Sequence, residues 1–251
     1  MIKLLSKILK DPLKAIEVAN RRYFQIGLST KEPEAAFMKS WVYGKLKREK
    51  LNQIFTGIEN QQYAIVNGFN RTDNMSMTLQ EVNAVAAIVS FIKARRIFEI
   101  GTFDGGTTVN LAANASEDSV VYTADLPASF DNFKLKISSV SDNQSEHNNV
   151  GIQYRKSAFK DRIKQIFEDS AAIDFTKLDP PFDLFFIDGC HDYAYVKADT
   201  ENAFKYTRKG GVILWHDYGM IKDVSDYVDE IADKYAIRAI RGCRLAVCIV
   251  N

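Results

Sequence analysis

The stretch Arg95–Ala112, RRIFEIGTFDGGTTVNLA, decides the fold. It opens with a short apolar run that carries one acid, Glu99, and is too brief for a helix. A glycine-rich turn follows, and the residues after it read as the start of a helix. Strand, glycine turn and helix in that order let backbone amides approach a nucleotide-like ligand. The glycines fall at Gly101, Gly105 and Gly106, a G-x-x-x-G-G spacing. A dinucleotide site has G-x-G-x-x-G with a pyrophosphate on the helix N-terminus. Asp104, inside the turn, suits a ligand with an ammonium group better than a pyrophosphate.

Working outward, the chain keeps alternating. SVVYTADL (119–126) reads as a second strand, VGIQYRKS (150–157) as a third and AFKDRIKQIFEDS (158–170) as a helix. PFDLFFIDG (181–189) is a nearly all-apolar strand, as the centre of a parallel sheet requires. A helix over 193–208, a strand in KGGVILWHDY (209–218), a helix over 224–235 and two closely spaced strands, AIRAIRG and RLAVCIVN, complete the pattern. The expectation is an α/β fold: a Rossmann-like, doubly wound, seven-stranded sheet with an antiparallel C-terminal hairpin, plus N-terminal helices. Before Arg95, TLQEVNAVAAIVSFIKA reads as a helix capped by Thr78 with Glu81 in capping-box spacing. NGFNRTDNMS (67–76) is polar and turn-rich, which divides the chain into a helical extension, 1–75, and a main domain, 76–251. EAAFMKSWVYGKLKREKLNQIF (34–55) reads as helix, with a solvated basic face at Lys45–Lys50.

Composition narrows the class. The 251 residues are 46% hydrophobic, enough for one sizeable core. A net charge of +1 and no basic–aromatic stripe argue against nucleic acid as a partner. Cys190, Cys243 and Cys248 are odd in number and lack metal-site spacing, so they read as reduced thiols of a cytoplasmic protein. No apolar run is long enough to span a bilayer. In MIKLLSKILKDPLKAI (1–16), Ile2, Leu4, Leu5, Ile8 and Leu9 share one helical face. That face packs on its own domain or a second copy of the chain, with a membrane surface the less favoured partner.

Ligands of doubly wound sheets bind at the carboxyl ends of the strands. Asp125 ends the second strand 24 residues after Gly101, near the offset of roughly 20 at which an acid takes ribose hydroxyls. Asp188 follows four apolar residues, with Gly189 and His191 next, and His216–Asp217 end the following strand. Neighbouring parallel strands bring Asp188, His216 and Asp217 together, as a divalent-cation site, an acid–base group or a structural ion pair. His191 carries an imidazole, whose ordinary pKa of about 6.5 suits a general base. His147 lies in polar sequence and reads as solvent-exposed.

FEIGTFDGGTT, VYTADL, FDLFFIDGCHDYAYVKADTENAF and KGGVILWHDY together resemble the class I S-adenosylmethionine-dependent methyltransferases, closest to the small-molecule and sugar O-methyltransferases. The resemblance covers Ser76 to Asn251. It implies S-adenosylmethionine as cofactor, with Glu99, Gly101, Thr102, Phe103 and Gly105 at its methionine portion. It implies Asp125 at the ribose, Leu126 at the adenine, and Ser157 and Ala158 flanking that ring after the third strand. Asp188, Gly189 and His191 fall near the reacting end. In metal-dependent relatives the fourth-strand acid binds magnesium with two ligands after the fifth strand, where this chain has His216 and Asp217. Those relatives have Asp-Asp or Asp-Asn, so the His-Asp pair weakens the case for magnesium or shifts it toward a softer cation. The implied reaction places His191, Asp188 and Asp217 in catalytic roles, with a small-molecule or sugar acceptor. A nicotinamide-dependent oxidoreductase and a non-catalytic α/β binding module are the alternatives on such a sheet; the first-loop spacing speaks against the former.

Overall fold

The computed structural model describes residues 43–66, 77–128, 130–137 and 149–251. The amphipathic N-terminal stretch and His147 lie outside the described residues. In chain order the elements are β1 (Arg48–Glu49), α1 (Leu51–Ile54), α2 (Leu79–Phe91), β2 (Arg96–Ile100), α3 (Gly106–Asn114), β3 (Val120–Asp125) and α4 (Ile152–Arg155). They continue with β4 (Ile163–Phe167), β5 (Phe182–Ile187), α5 (Tyr193–Tyr206), β6 (Thr207–Trp215), α6 (Lys222–Tyr235), β7 (Arg238–Ile240) and β8 (Ala246–Ile249). One sheet runs β1-β7-β8-β6-β5-β2-β3-β4. Strands β2 to β6 run parallel to one another, and β8 lies antiparallel between β6 and β7.

The alternation of side chains on each strand builds two apolar layers. Ile97, Val121, Leu184, Phe186 and Leu214 face α2 and α3. Phe98, Phe185, Ile187, Ile213 and Trp215 face α5 and α6, and Phe98 stacks on Phe185 with ring centroids 4.9 Å apart. The doubly wound sheet and its C-terminal hairpin are thus as the sequence pattern predicts. Thr78 caps α2, and its N–H donates back to Glu81 Oε2 at 2.8 Å, which completes the capping box.

Three differences have physical causes. An eighth strand, β1, joins the seven by pairing in parallel with β7. The residues before it are not helical: Gly44 sits at φ +86° against the Tyr218 ring, and the Lys45 and Leu46 N–H groups donate to Asp229 and to the Tyr218 hydroxyl. Among the described residues of that stretch, helix is confined to Leu51–Ile54. The third parallel strand is Ile163–Phe167, where a helix was expected, and the expected strand at 150–157 holds the short helix Ile152–Arg155. Phe159, Ile163, Ile166 and Phe167 recur at helical spacing by coincidence. As an outer strand, β4 needs little apolar alternation, and Phe167 is left exposed.

The strand order reverses between β2 and β5, because the chain winds outward through β3 and β4 and then returns to the other side of β2. That reversal opens a crevice at the carboxyl ends of β2 and β5.

Candidate active site

At the crevice the backbones of β2 and β5 nearly touch. Gly101 has φ +94°, and a Cβ there would fall 2.0 Å from the Asp188 carbonyl oxygen, so only glycine fits. The next residues curl into the loop that opens α3. The Asp125 carboxylate holds this loop: Oδ2 accepts the Phe103 N–H (2.9 Å) and Oδ1 the Leu126 N–H (2.8 Å). Gly105, at φ +84°, lies against Tyr154 and Gly151. The Asp104 carboxylate takes the Gly106 N–H and the Gln153 side-chain amide, so this acid staples the loop to α4 and is not presented to a ligand ammonium as the sequence suggested. The Thr102 side chain is also turned inward, bonded to Thr123 (2.7 Å) and Gln165 (2.9 Å), which leaves its backbone as the part near a ligand.

Glu99 lies fully buried beneath the loop. Its Oε2 accepts the hydroxyls of Thr108 (2.5 Å) and Thr123 (2.6 Å), and its Oε1 has no hydrogen-bond partner among the described residues. Burial pushes its carboxyl up to about 8, with Asp188 and Asp125 adding to the rise. An orphaned acid under a positive-φ glycine turn is a cradle for a ligand that brings a cationic donor.

The ends of β5 and β6 carry the charged part of the site. The His216 ring is buried with Nδ1 2.9 Å from Asp188 Oδ1 and 3.6 Å from Asp217 Oδ1. Burial opposes its charge, but Asp188 and Asp217 hold it up to about 10, so it is an imidazolium. Asp217 adopts φ +56°, unusual for a non-glycine residue. Its Oδ1 accepts from Arg244 Nη1 at 2.8 Å, and its Oδ2 faces His191 Nε2 at 3.2 Å. Despite burial, His216 and Arg244 hold its carboxyl well below the usual range. Arg244, from the turn between β7 and β8, also clasps Glu81 of α2 through Nε (2.9 Å) and Nη2 (2.8 Å). Glu81, Asp188 and Asp217 against Arg244 and His216 leave the cluster net negative when His191 is neutral, which favours a cationic ligand.

Donor atoms of Asp188, His191 and Asp217 lie within 4.8 Å of one another, which fits a divalent cation. His216, expected from sequence as the third ligand, is instead spent on Asp188 and Asp217, and His191 takes that corner. Ser157 and Ala158 do not follow a strand: they lie in the turn before β4, where Ser157 Oγ donates to the Tyr154 carbonyl at 2.7 Å. The carboxyl end of β4 carries Glu168, Asp169 and Ser170. Asp169 is buried and accepts the Lys134 N–H (2.7 Å) and the Tyr195 hydroxyl (2.8 Å), which ties residues 130–137 to the crevice. Sequence reasoning missed Asp169, Arg244 and the second role of Glu81. Placing the strand at 163–167 would have exposed Asp169 as its terminal acid, whereas nothing local marks Arg244.

This sheet order, with a glycine loop at its point of reversal, is that of the class I methyltransferase fold. Residues 98–218, from β2 to the end of the His216–Asp217 segment, match the family model described as a methyltransferase domain. The fold is shared with the O-methyltransferase TomG from Streptomyces achromogenes, which is involved in tomaymycin synthesis and was solved with SAM (TM-score 0.54, 15% identity, covering 86% of this chain and 95% of that one). It is shared too with an O-methyltransferase from Bacillus cereus in complex with SAH (TM-score 0.50, 17% identity, 81% and 91% covered). No curated protein matches the chain by sequence. Among the described residues no helix is long and apolar enough to cross a membrane.

Proposed function

We propose that the protein methylates an oxygen of a small molecule or sugar, with His191 as the base that takes the acceptor's proton. The observation that carries this reading is the convergence of Asp188, His191 and Asp217 beside the glycine loop, at the point where strand order reverses. S-adenosylmethionine, when bound, supplies an electrophilic methyl group on a sulfonium. The loop Gly101–Gly105 and Glu99 would hold its methionine end, and Asp125 and Leu126 its ribose and adenine. The net negative cluster favours its positive charge. Asp217 Oδ2 lies 3.2 Å from His191 Nε2, and a proton drawn to that nitrogen would leave the ring's lone pair on Nδ1 for the acceptor proton. Asp188 would position the acceptor. Loss of water from a closed crevice strengthens each of these interactions.

A divalent cation is a second use of the same three groups, supported by their mutual spacing. Asp188, His191 and Asp217 would hold it, and a mixed nitrogen–oxygen set suits a softer cation than magnesium. Residues 1–75 belong to this reading as an acceptor lid or a homodimer surface, and the free cysteines accord with a cytoplasmic setting. Nucleic acid is not an acceptor in this reading. Calorimetric titration with S-adenosylmethionine and S-adenosylhomocysteine tests the core claim: micromolar binding is expected, and no heat at millimolar ligand would overturn it. A methyl-donor assay against sugars and phenols, with and without EDTA, then separates acceptor class and metal dependence.

A further inference from the structure

We propose that Arg244, anchored by Glu81, is a positioning residue that occupies one oxygen of Asp217 and thereby presents the other to His191. The inference rests on the reading of His191 as the base. Arg244 comes from the C-terminal hairpin, outside the parallel strands that end in Asp188 and Asp217. Its guanidinium is almost wholly buried. Nε and Nη2 bind the two oxygens of Glu81, and Nη1 binds Asp217 Oδ1. Its backbone is committed as well: the N–H donates to Glu81 Oε1 at 2.7 Å, and the carbonyl accepts the Tyr218 N–H at 3.0 Å. The residue after Asp217 is therefore pinned to the same arginine that holds the Asp217 carboxylate.

The need for such a clamp follows from the surroundings. Asp217 has two imidazoles within reach, His191 Nε2 at 3.2 Å and His216 Nδ1 at 3.6 Å. Left alone, its carboxylate could turn toward either ring. Arg244 takes Oδ1, on the His216 side, and leaves Oδ2 directed at His191. Only a planar fork can span Glu81 and Asp217 at once, and a lysine ammonium cannot reproduce it. The anchor, Glu81, is fixed by the capping box of α2, so the site is aligned from outside the catalytic strands.

The chain has only three histidines, so long-range proton–nitrogen NMR resolves every imidazole. Resonances are assigned from His147→Gln and His191→Gln, at pH of about 8.5, where free imidazole is neutral. The parent protein is expected to show His191 as a single tautomer with its proton on Nε2. In Arg244→Met that preference weakens, and Arg244→Lys restores it only in part. Arg244→Lys and Glu81→Gln are read in the same way should the methionine variant not accumulate as folded protein. A His191 pattern unchanged in the folded variants, whatever their melting temperature, overturns the proposal and leaves Arg244 a structural residue. Titration of the intact protein with S-adenosylmethionine is read alongside. Failure to bind would sink the methyl-transfer reading, while the tautomer result would still judge the clamp.

Discussion

Glu99 keeps one oxygen on two threonine hydroxyls and the other without a partner, fully buried and with no cation to stabilise its charge among these contacts. Burial raises its carboxyl to about 8, against an unfolded value near 4.5, so the folded protein binds the extra proton. Stability therefore falls as pH rises between those two values, the reverse of the usual salt-bridged acid. Glu99→Gln should remove that slope: thermal melts of the variant at pH 5.5 and 8 should differ less than those of the parent. An equal pH dependence in both would show that Glu99 is already ionised. His216 adds in the same direction, because its stabilising charge is complete below about 6.5 and is lost as pH climbs through about 10. At the reacting end, His191→Asn is expected to lower kcat by about 10²–10⁴-fold, the contribution of a general base, while cofactor affinity stays nearly unchanged. A parallel loss of cofactor binding would make His191 a ligand contact instead.

At the scale of elements, helix α3 does two jobs. Its N-terminus opens from the glycine loop, and its outer face carries Asn110 and Asn114, one turn apart. Asn114 exchanges hydrogen bonds with the backbone of Ala64 (2.7 and 2.8 Å), and Asn110 with that of Val66 (2.9 and 3.0 Å). Two side-chain amides thus mimic a neighbouring strand for an extended segment that has none. Asn110→Ala and Asn114→Ala should each cost about 1 kcal/mol per bond lost, and should speed amide exchange at Val66 and Ala64 respectively. Unchanged exchange at both amides would mean that packing of Ile65 and Val66 holds the segment. Gly101→Ala places a methyl carbon 2.0 Å from the Asp188 carbonyl and must spread β2 from β5. Loss of cofactor binding in calorimetry is the expected outcome, ahead of any large loss of helix signal by circular dichroism.

Across the whole molecule, Glu81, Arg244, Asp217, His216 and Asp188 join helix α2, the C-terminal hairpin and the ends of β5 and β6 into one buried ionic chain. Removing one member strands a charge, so Arg244→Met should destabilise by about 3–5 kcal/mol in urea melts. Replacing Glu81 and Arg244 together by apolar residues should cost markedly less, and equal costs would deny that burial of the lone charge is the cause. The glycine turn, the apolar β5, the capping box and the strand-end acids were legible in the sequence because each rests on periodicity or on neighbours within a few residues. The β4 strand was misread because an outer strand needs little apolar patterning. The β1 strand was missed because two residues carry no period and draw their order from pairing with β7, far along the chain. That His191 and not His216 groups with Asp188 and Asp217 depends on which way two imidazoles turn, and Arg244 reaches Glu81 across 163 positions. The sequence by itself determined the doubly wound sheet and the glycine cradle, since local backbone preference and burial alternation dictate them. Only the tertiary structure decided which charges meet, because pairing in a low-dielectric interior is set by distances between elements remote in the chain.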